Sequence, residues 1–214
     1  MKIELHYGKA LCSLQIPEAN VWQIIRPWQK EEKVDNLTLL RQVMANKEVT
    51  NFRDEIAGKH LCVLLDDGTR DEPFNDIFGQ LFNHLRRSSL VRFLICTGTH
   101  NPQTPENNRI RGEIIKAAKK TGIDNYEIHA HDCEHERYLK AGQTQHGTEI
   151  IFNILADDAE VFLVVSDMKV HYFAGYSNPI KNQKMNVRRA STWTPRMKCP
   201  ATTSAIFWMG AFWV

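Results

Sequence analysis

The strongest constraint on the fold is an alternation of short apolar runs with helical patterns between residues 60 and 165. Apolar runs of this length, bounded by polar turns, suit strands buried on both faces. His60–Leu65 is the first, Leu90–Cys96 the second, Tyr126–His129 a weaker third and Glu160–Val165 the fourth. Between the first two, Pro73–Leu85 places Phe74, Ile77, Phe78, Leu81, Phe82 and Leu85 at the three-and-four spacing of one helix face. Pro105–Thr121 carries Ile110, Ile114 and Ala117 on one face, with Gly122 as its stop. Glu149–Leu155 reads as a shorter helix before the fourth strand. This order predicts an α/β fold with a mostly parallel, Rossmann-like sheet and helices on both faces. Ile3–Tyr7 and Leu11–Ile16 alternate instead, with Gly8 between them, and predict a small β-hairpin ahead of the sheet.

No run approaches the roughly 18 to 20 apolar residues of a membrane helix. The first residues, Met1-Lys2-Ile3-Glu4-Leu5-His6, have no apolar core and no small-residue cleavage site, so a cytoplasmic protein is expected. Five scattered cysteines form no Cys-x-x-Cys pair and read as reduced thiols packed as small hydrophobes. The formal charge of +2 is unevenly spread. All 25 acids precede Asn182, while Lys184, Arg188, Arg189, Arg196 and Lys198 follow it with no acid among them. The same stretch holds Trp193, Trp208 and Trp213 and no histidine. Two segments are therefore expected: a body over 1–181 and an atypical basic, Trp-rich tail over 182–214.

Ligands of open α/β sheets bind beyond the carboxyl ends of the strands. Each predicted strand here ends in a polar, chemistry-bearing turn: Asp66-Asp67-Gly68-Thr69-Arg70, Thr97-Gly98-Thr99-His100, His129-Ala130-His131-Asp132-Cys133, and Ser166-Asp167-Met168-Lys169-Val170-His171. Four such turns at one edge predict a shared functional crevice. Local readings compete. Asp66-Asp67-Gly68-Thr69 is similar to the nucleophile motif of haloacid-dehalogenase phosphatases, but Leu65 stands at the nucleophile position and an aliphatic chain cannot attack phosphorus. His129, His131, Asp132, Cys133 and His135 could ligate a metal, or be solvated loop residues. Alone, His100 and His171 read equally as turn histidines, Lys181 as a surface lysine and Arg70 as a salt-bridge partner.

Together the motifs resemble the nickel-dependent lactate racemase family, whose cofactor is a nickel-pincer nucleotide. Tyr7-Gly8-Lys9-Ala10 and Ile16-Pro17-Glu18-Ala19-Asn20 resemble its opening hairpin. Asp67-Gly68-Thr69-Arg70 resembles its Asp-x-Thr-Arg motif, and Thr97-Gly98-Thr99-His100 matches its Thr-Gly-Thr-His turn. His131-Asp132-Cys133 and the Gly142–Thr148 segment also fit. The most specific match is His171-Tyr172-Phe173-Ala174-Gly175-Tyr176-Ser177, followed by Lys181 at the family's ten-residue distance from the histidine. The resemblance covers about residues 1–181 and implies an isomerase, a racemase or epimerase of 2-hydroxyacids. It implies hydride transfer from the α-carbon to the cofactor and proton transfer from the hydroxyl to a histidine. Either enantiomer must be deprotonated, so two bases are needed, and a planar cation suits the carboxylate. By resemblance His100 and His171 are the bases, Arg70 grips the substrate or cofactor anion and Asp67 orients that group. Lys181 is the cofactor attachment point, and Ser177 and Thr69 are cofactor-binding positions. The implied partners are a small 2-hydroxyacid and the enzymes that make the cofactor, with no nucleic acid and no membrane.

The chain departs from the family in two places. Asn178-Pro179-Ile180 replaces the usual Gly-Gly-Ala before the lysine, bulkier and one donor poorer beside a phosphate. The nickel-binding histidine is expected about sixteen residues after the lysine, where Met197 stands, so no metal ligand is assigned; a thioether is a poor substitute toward divalent nickel. The family's second domain is expected to be absent, leaving a truncated, inactive form. The charge break at residue 182 fits a reading-frame shift. Taking each codon's third base with the next two bases forces Asp from Trp193-Thr194, Glu from Met185-Asn186, and Leu-Asp-Gly from Phe207-Trp208-Met209-Gly210. The alternative functions are a non-catalytic nucleotide- or small-acid-binding paralogue and a zinc hydrolase using the His129–His135 cluster.

Overall fold

The computed structural model describes residues 1–8, 10–25, 35–70, 72–135, 137–143, 145, 147, 149–166, 169–171 and 175–177. The chain divides into a small unit over residues 1–33 and a larger one that follows. The small unit is an antiparallel ribbon, β1 (Lys2–Tyr7) with β2 (Ala10–Gln15), paired from Lys2↔Gln15 to Tyr7↔Ala10. Paired residues share a face, so Ile3, Leu5, Tyr7, Ala10, Cys12 and Leu14 make one apolar side.

The larger unit is built on a parallel sheet of β3 (His60–Asp66), β4 (Leu90–Cys96), β5 (Tyr126–Ala130) and β8 (Val161–Val165), in the order β5-β4-β3-β8. Helix α3 (Phe74–Leu85) joins β3 to β4, and α4 (Pro105–Thr121) joins β4 to β5. Thr104 caps α4 by accepting from the Asn107 N–H, and Gly122 ends it at φ 68°, a left-handed value that glycine adopts without penalty. Two helices, α1 (Asn36–Met44) and α2 (Lys47–Glu55), stand where periodicity predicts none. Asp35 caps α1 through the Thr38 N–H at 3.0 Å.

Side chains alternate across a strand, so odd- and even-numbered positions of β3 and β4 enter different layers. Leu61, Val63, Leu65, Val91, Phe93 and Ile95 meet residues from all four helices in the main core. Phe82 stacks on Phe93 at 5.4 Å between ring centroids, and Phe78 meets both rings edge-on. Cys62, Leu64, Leu94, Cys96 and Val164 face the other way, under Leu155 and Ala159. The right-handed crossover rule accounts for the division. Both β3-α3-β4 and β4-α4-β5 step across the sheet in one direction and lay their helices on one face. The return from β5 to β8 steps back and covers the opposite face.

Among the described residues that return is not helical. The helix expected over Glu149–Leu155 is instead β7 (Glu149–Asn153), paired antiparallel with β6 (Tyr138–Gln143), then a 3-10 turn at Ile154–Ala156. Ile150, Ile151 and Phe152 are residue types that suit a strand, and the partner β6 decides between the two states. A last antiparallel pair, β9 (Lys169–His171) with β10 (Gly175–Ser177), follows β8. Among the described residues no helix is long and apolar enough to cross a membrane.

Arg92 ties the second face together. Its guanidinium donates to Glu127 Oε2 at 2.7 Å, to the Leu155 carbonyl at 2.7 Å, and to both carboxylate oxygens of Asp158. Hydrogen bonding to Arg92 holds the Glu127 and Asp158 carboxyls below the usual carboxylate range. A carboxyl depressed in the folded state contributes stability at neutral pH that is lost as pH falls through its folded pKa, here below about pH 4. Both carboxylates are well exposed, so the contribution is small. Arg92→Leu is expected to lower stability at neutral pH and to flatten the acid limb of urea midpoints measured between about pH 5 and pH 3. An unchanged acid limb in the variant would show that these pairs contribute nothing.

Candidate active site

Parallel pairing puts the carboxyl ends of β3, β4, β5 and β8 at one edge. The chain runs β3, β4, β5 in one direction, then returns to pair β8 on the free flank of β3. The strand order therefore reverses beside β3, the position at which ligands bind in open α/β sheets.

The loop after β3 carries the central pair. Asp67 is buried, and its Oδ2 lies 2.6 Å from His100 Nδ1 in the loop after β4. The other oxygen, Oδ1, accepts from Thr69 Oγ1 at 2.6 Å and from the Thr69 N–H at 3.3 Å. The imidazole itself is 58% exposed while the carboxylate is 6% exposed. A buried carboxylate beside Nδ1 selects the Nδ1–H tautomer and leaves Nε2 with its lone pair facing away, available to take a proton. The Arg70 N–H closes the same turn on the Asp67 carbonyl at 3.0 Å, placing Arg70 half-buried three residues from the carboxylate. The His100 N–H closes the β4 turn on the Thr97 carbonyl at 3.0 Å, over Gly98 at φ 62°.

Gly68 fits for a different reason, close approach. A Cβ there would lie 2.3 Å from Glu106 Cβ and 2.7 Å from the Glu106 carbonyl carbon, in the first turn of α4. Its N–H donates to Asn107 Oδ1 at 2.8 Å. Asn107 is fully buried and its Nδ2 donates to the carbonyls of Asn101 and Pro102. Sequence reasoning missed Asn107, although the signal was present: it extends the Ile110, Ile114 and Ala118 row of α4 by one turn as a polar residue on the core face.

The turn after β5 is tied to β4, with the Thr97 hydroxyl donating to the His131 carbonyl and the His131 N–H to the Ile95 carbonyl at 2.9 Å. The histidine cluster of this turn is dispersed among separate partners. His129 lies 3.5 Å from Glu127, His131 is fully buried 3.1 Å from the Asn153 amide, and His135 lies 3.0 Å from Asp132. The N–H of Glu134 holds the Asp132 carboxyl below its usual range, with the His135 side chain adding to the effect. Among the described residues no three His, Cys, Asp or Glu side chains are grouped to hold a metal. The thiols of β3 and β4 are not reactive groups: burial pushes Cys62 up to about 12 and Cys96 well above the ordinary thiol value.

Four of the expected site residues, Asp67, Thr69, Arg70 and His100, are thus gathered at two adjacent loops. His171 and Ser177 are described as backbone only, His171 opposite Gly175 and Ser177 opposite Lys169 in the β9–β10 pair. Since β9 begins four residues after β8 ends, its start lies within about 14 Å of the carboxyl edge. Lys181 and Met197 lie outside the described residues.

Residues 7–183 match the family model described as the lactate racemase N-terminal domain, and the chain belongs to that family. It is 27% identical over 188 residues to the lactate racemase of Lactiplantibacillus plantarum and 24% identical over 189 residues to that of Thermoanaerobacterium thermosaccharolyticum. Each alignment covers 84% of this chain but 43% of the relative, so the chain spans less than half the length of the curated relatives it matches. The lactate racemase apoprotein structure from T. thermosaccharolyticum superposes with a TM-score of 0.65 at 20% identity, covering 90% of this chain and 45% of that one, which establishes the shared fold.

The close approach at Gly68 makes a specific prediction. Gly68→Ala is expected to lower stability by about 1–3 kcal/mol through overpacking, since the nearest atoms are the Glu106 Cβ and the helix backbone that carries it, which cannot swing aside. Chemical denaturation of the variant checks this, and a wild-type midpoint would mean that the loop and α4 are not in contact.

Proposed function

We propose that this chain is the substrate-binding, proton-transferring half of a 2-hydroxyacid racemase or epimerase. The observation that carries the reading is the buried Asp67 carboxylate on His100 Nδ1, beside Arg70, at the point where the strand order reverses. The Arg70 guanidinium takes the substrate carboxylate in two parallel hydrogen bonds. His100 Nε2 takes the proton of the α-hydroxyl, and Asp67 stabilises the imidazolium that results. His171 serves the opposite enantiomer. The same reading places the protein in the cytoplasm, with cofactor-making enzymes as partners.

The nickel-pincer nucleotide makes two demands on the chain. Lys181 stands where the family attaches the nucleotide, and Ser177 and Thr69 stand where it contacts the cofactor. Nickel also needs an imidazole, and no histidine follows His171; Met197 offers only a thioether. The donor set of residues 1–214 does not fit nickel, and no step is assigned to the metal. This misfit favours a second reading, a binding module that holds a small acid without turning it over. Reading the coding DNA beyond codon 170 in all frames separates a shifted frame, which restores a histidine about sixteen codons past Lys181, from a genuine paralogue.

Lactate and larger 2-hydroxyacids, titrated into the purified chain, are expected to shift the His100 ring signals in NMR spectra. Arg70→Gln is expected to weaken binding about tenfold or more, the loss of a charge-assisted pair of hydrogen bonds. Binding without racemisation selects the non-catalytic module. No response to any hydroxyacid, together with zinc that is lost on replacing His129 and His131 by alanine, would sink the proposal in favour of a zinc hydrolase.

A further inference from the structure

We infer that Asn107 is a positioning residue: one buried carboxamide locks the loops after β3 and β4 together and thereby sets the contact between Asp67 and His100. This rests on the reading of His100 as the base only for its catalytic meaning; the structural claim stands on its own contacts.

The argument begins with the placement of the amide. Asn107 is 1% exposed at the first turn of α4, a helix that belongs to neither loop. Its Oδ1 accepts from the N–H of Gly68, the residue directly after Asp67. Its Nδ2 donates to the carbonyl of Asn101, the residue directly after His100, at 3.4 Å, and to that of Pro102 at 3.1 Å. The residues flanking both members of the pair are thus held by a single side chain. Its own backbone is fixed as well, since the Asn107 N–H donates to Thr104 Oγ1 at 3.2 Å in the helix cap.

The residue type follows from this duty. The site needs one acceptor and two donor hydrogens on a short, planar group, and a carboxamide supplies them. An aspartate would keep the acceptor and present a second oxygen to two carbonyls. An aliphatic residue would leave the bonds to the Gly68 N–H and to the Asn101 and Pro102 carbonyls unmade. Gly68 completes the arrangement, because any larger residue would push the β3 loop off the helix turn that carries Asn107. His100 is 58% exposed and receives little packing of its own, so its orientation depends on where its loop is held.

The test is the tautomer of His100, a property that general stability does not set. Long-range nitrogen–proton spectra of the whole chain, with His100 assigned by comparison with His100→Gln, are expected to show the Nδ1–H form in the wild type. Asn107→Ala is expected to lose that form in favour of the Nε2–H tautomer, while the signals of His60 and His84 keep their folded positions. Ile114→Val trims the core face of the same helix and is expected to leave the His100 tautomer unchanged. A second measurement needs no variant: the Gly68 amide should exchange with solvent about tenfold or more slowly than an unprotected amide, as for one net hydrogen bond. The inference is overturned if folded Asn107→Ala keeps the Nδ1–H form, if Ile114→Val loses it equally, or if the wild-type Gly68 amide exchanges freely. If Asn107→Ala does not fold, the Gly68 exchange rate decides alone. Hydroxyacid binding is not a readout here, so failure of the functional reading and failure of this inference are separately visible.

Discussion

The parallel ladder between β3 and β4, continuous from His60↔Leu90 to Asp66↔Cys96, sets the height at which two loops leave the sheet. Because the ladder ends level, Asp67 and Thr97 begin their loops side by side. A one-residue slip would send the alternate side chains of β4 to the wrong layer, placing Arg92 in the aromatic core and Phe93 among Glu127 and Asp158. Register is therefore fixed by the core, and the core fixes the edge. The His100 turn needs only three more residues, closed over Gly98, to bring an imidazole against a carboxylate that β3 has already buried.

The two faces of the sheet contribute differently. The helical face is mostly apolar, with Phe78, Phe82 and Phe93 packed ring to ring, and holds the larger hydrophobic cluster. The opposite face has a small apolar cluster bordered by Arg92 and its carboxylates. Ion pairs of this kind add little net stability, and their geometry specifies alignment instead. Arg92 reaches β5 through Glu127 and the segment before β8 through Asp158 and the Leu155 carbonyl. It thereby holds the two outer strands of the sheet to one inner strand.

What could be read from the sequence tracks how local each interaction is. The four strands and helices α3 and α4 were legible because each carries its own period and punctuation, as in the Phe74–Leu85 face and the Thr104–Gly122 span. Residues 149–155 were misread because a short apolar stretch has no period of its own. Its state depends on β6, six or more residues away in sequence. Helices α1 and α2 were missed because, among the described residues, Leu40 of α1 and Phe52 of α2 are the only side chains they bury fully in the core. The Asp67 and His100 positions were legible as motifs, but their direct contact was not, since nothing local pairs residues 33 apart. Asn107 was hidden for the same reason: its partners lie 39 residues back and in the preceding turn.

Among the described residues, the hydrogen bonds of Asp67, Thr69, His100 and the Asn107 amide run between residues 67 and 107. Asp67, Thr69 and Arg70 lie in the loop after β3, His100 in the loop after β4 and Asn107 in α4. Of the positions that the family resemblance assigns to the cofactor, Thr69 lies among these residues, and Ser177 and Lys181 come later in the chain. On the proposed function, gripping a hydroxyacid draws on Arg70 and His100 while turnover also draws on residues later in the chain, so binding and turnover are measured separately.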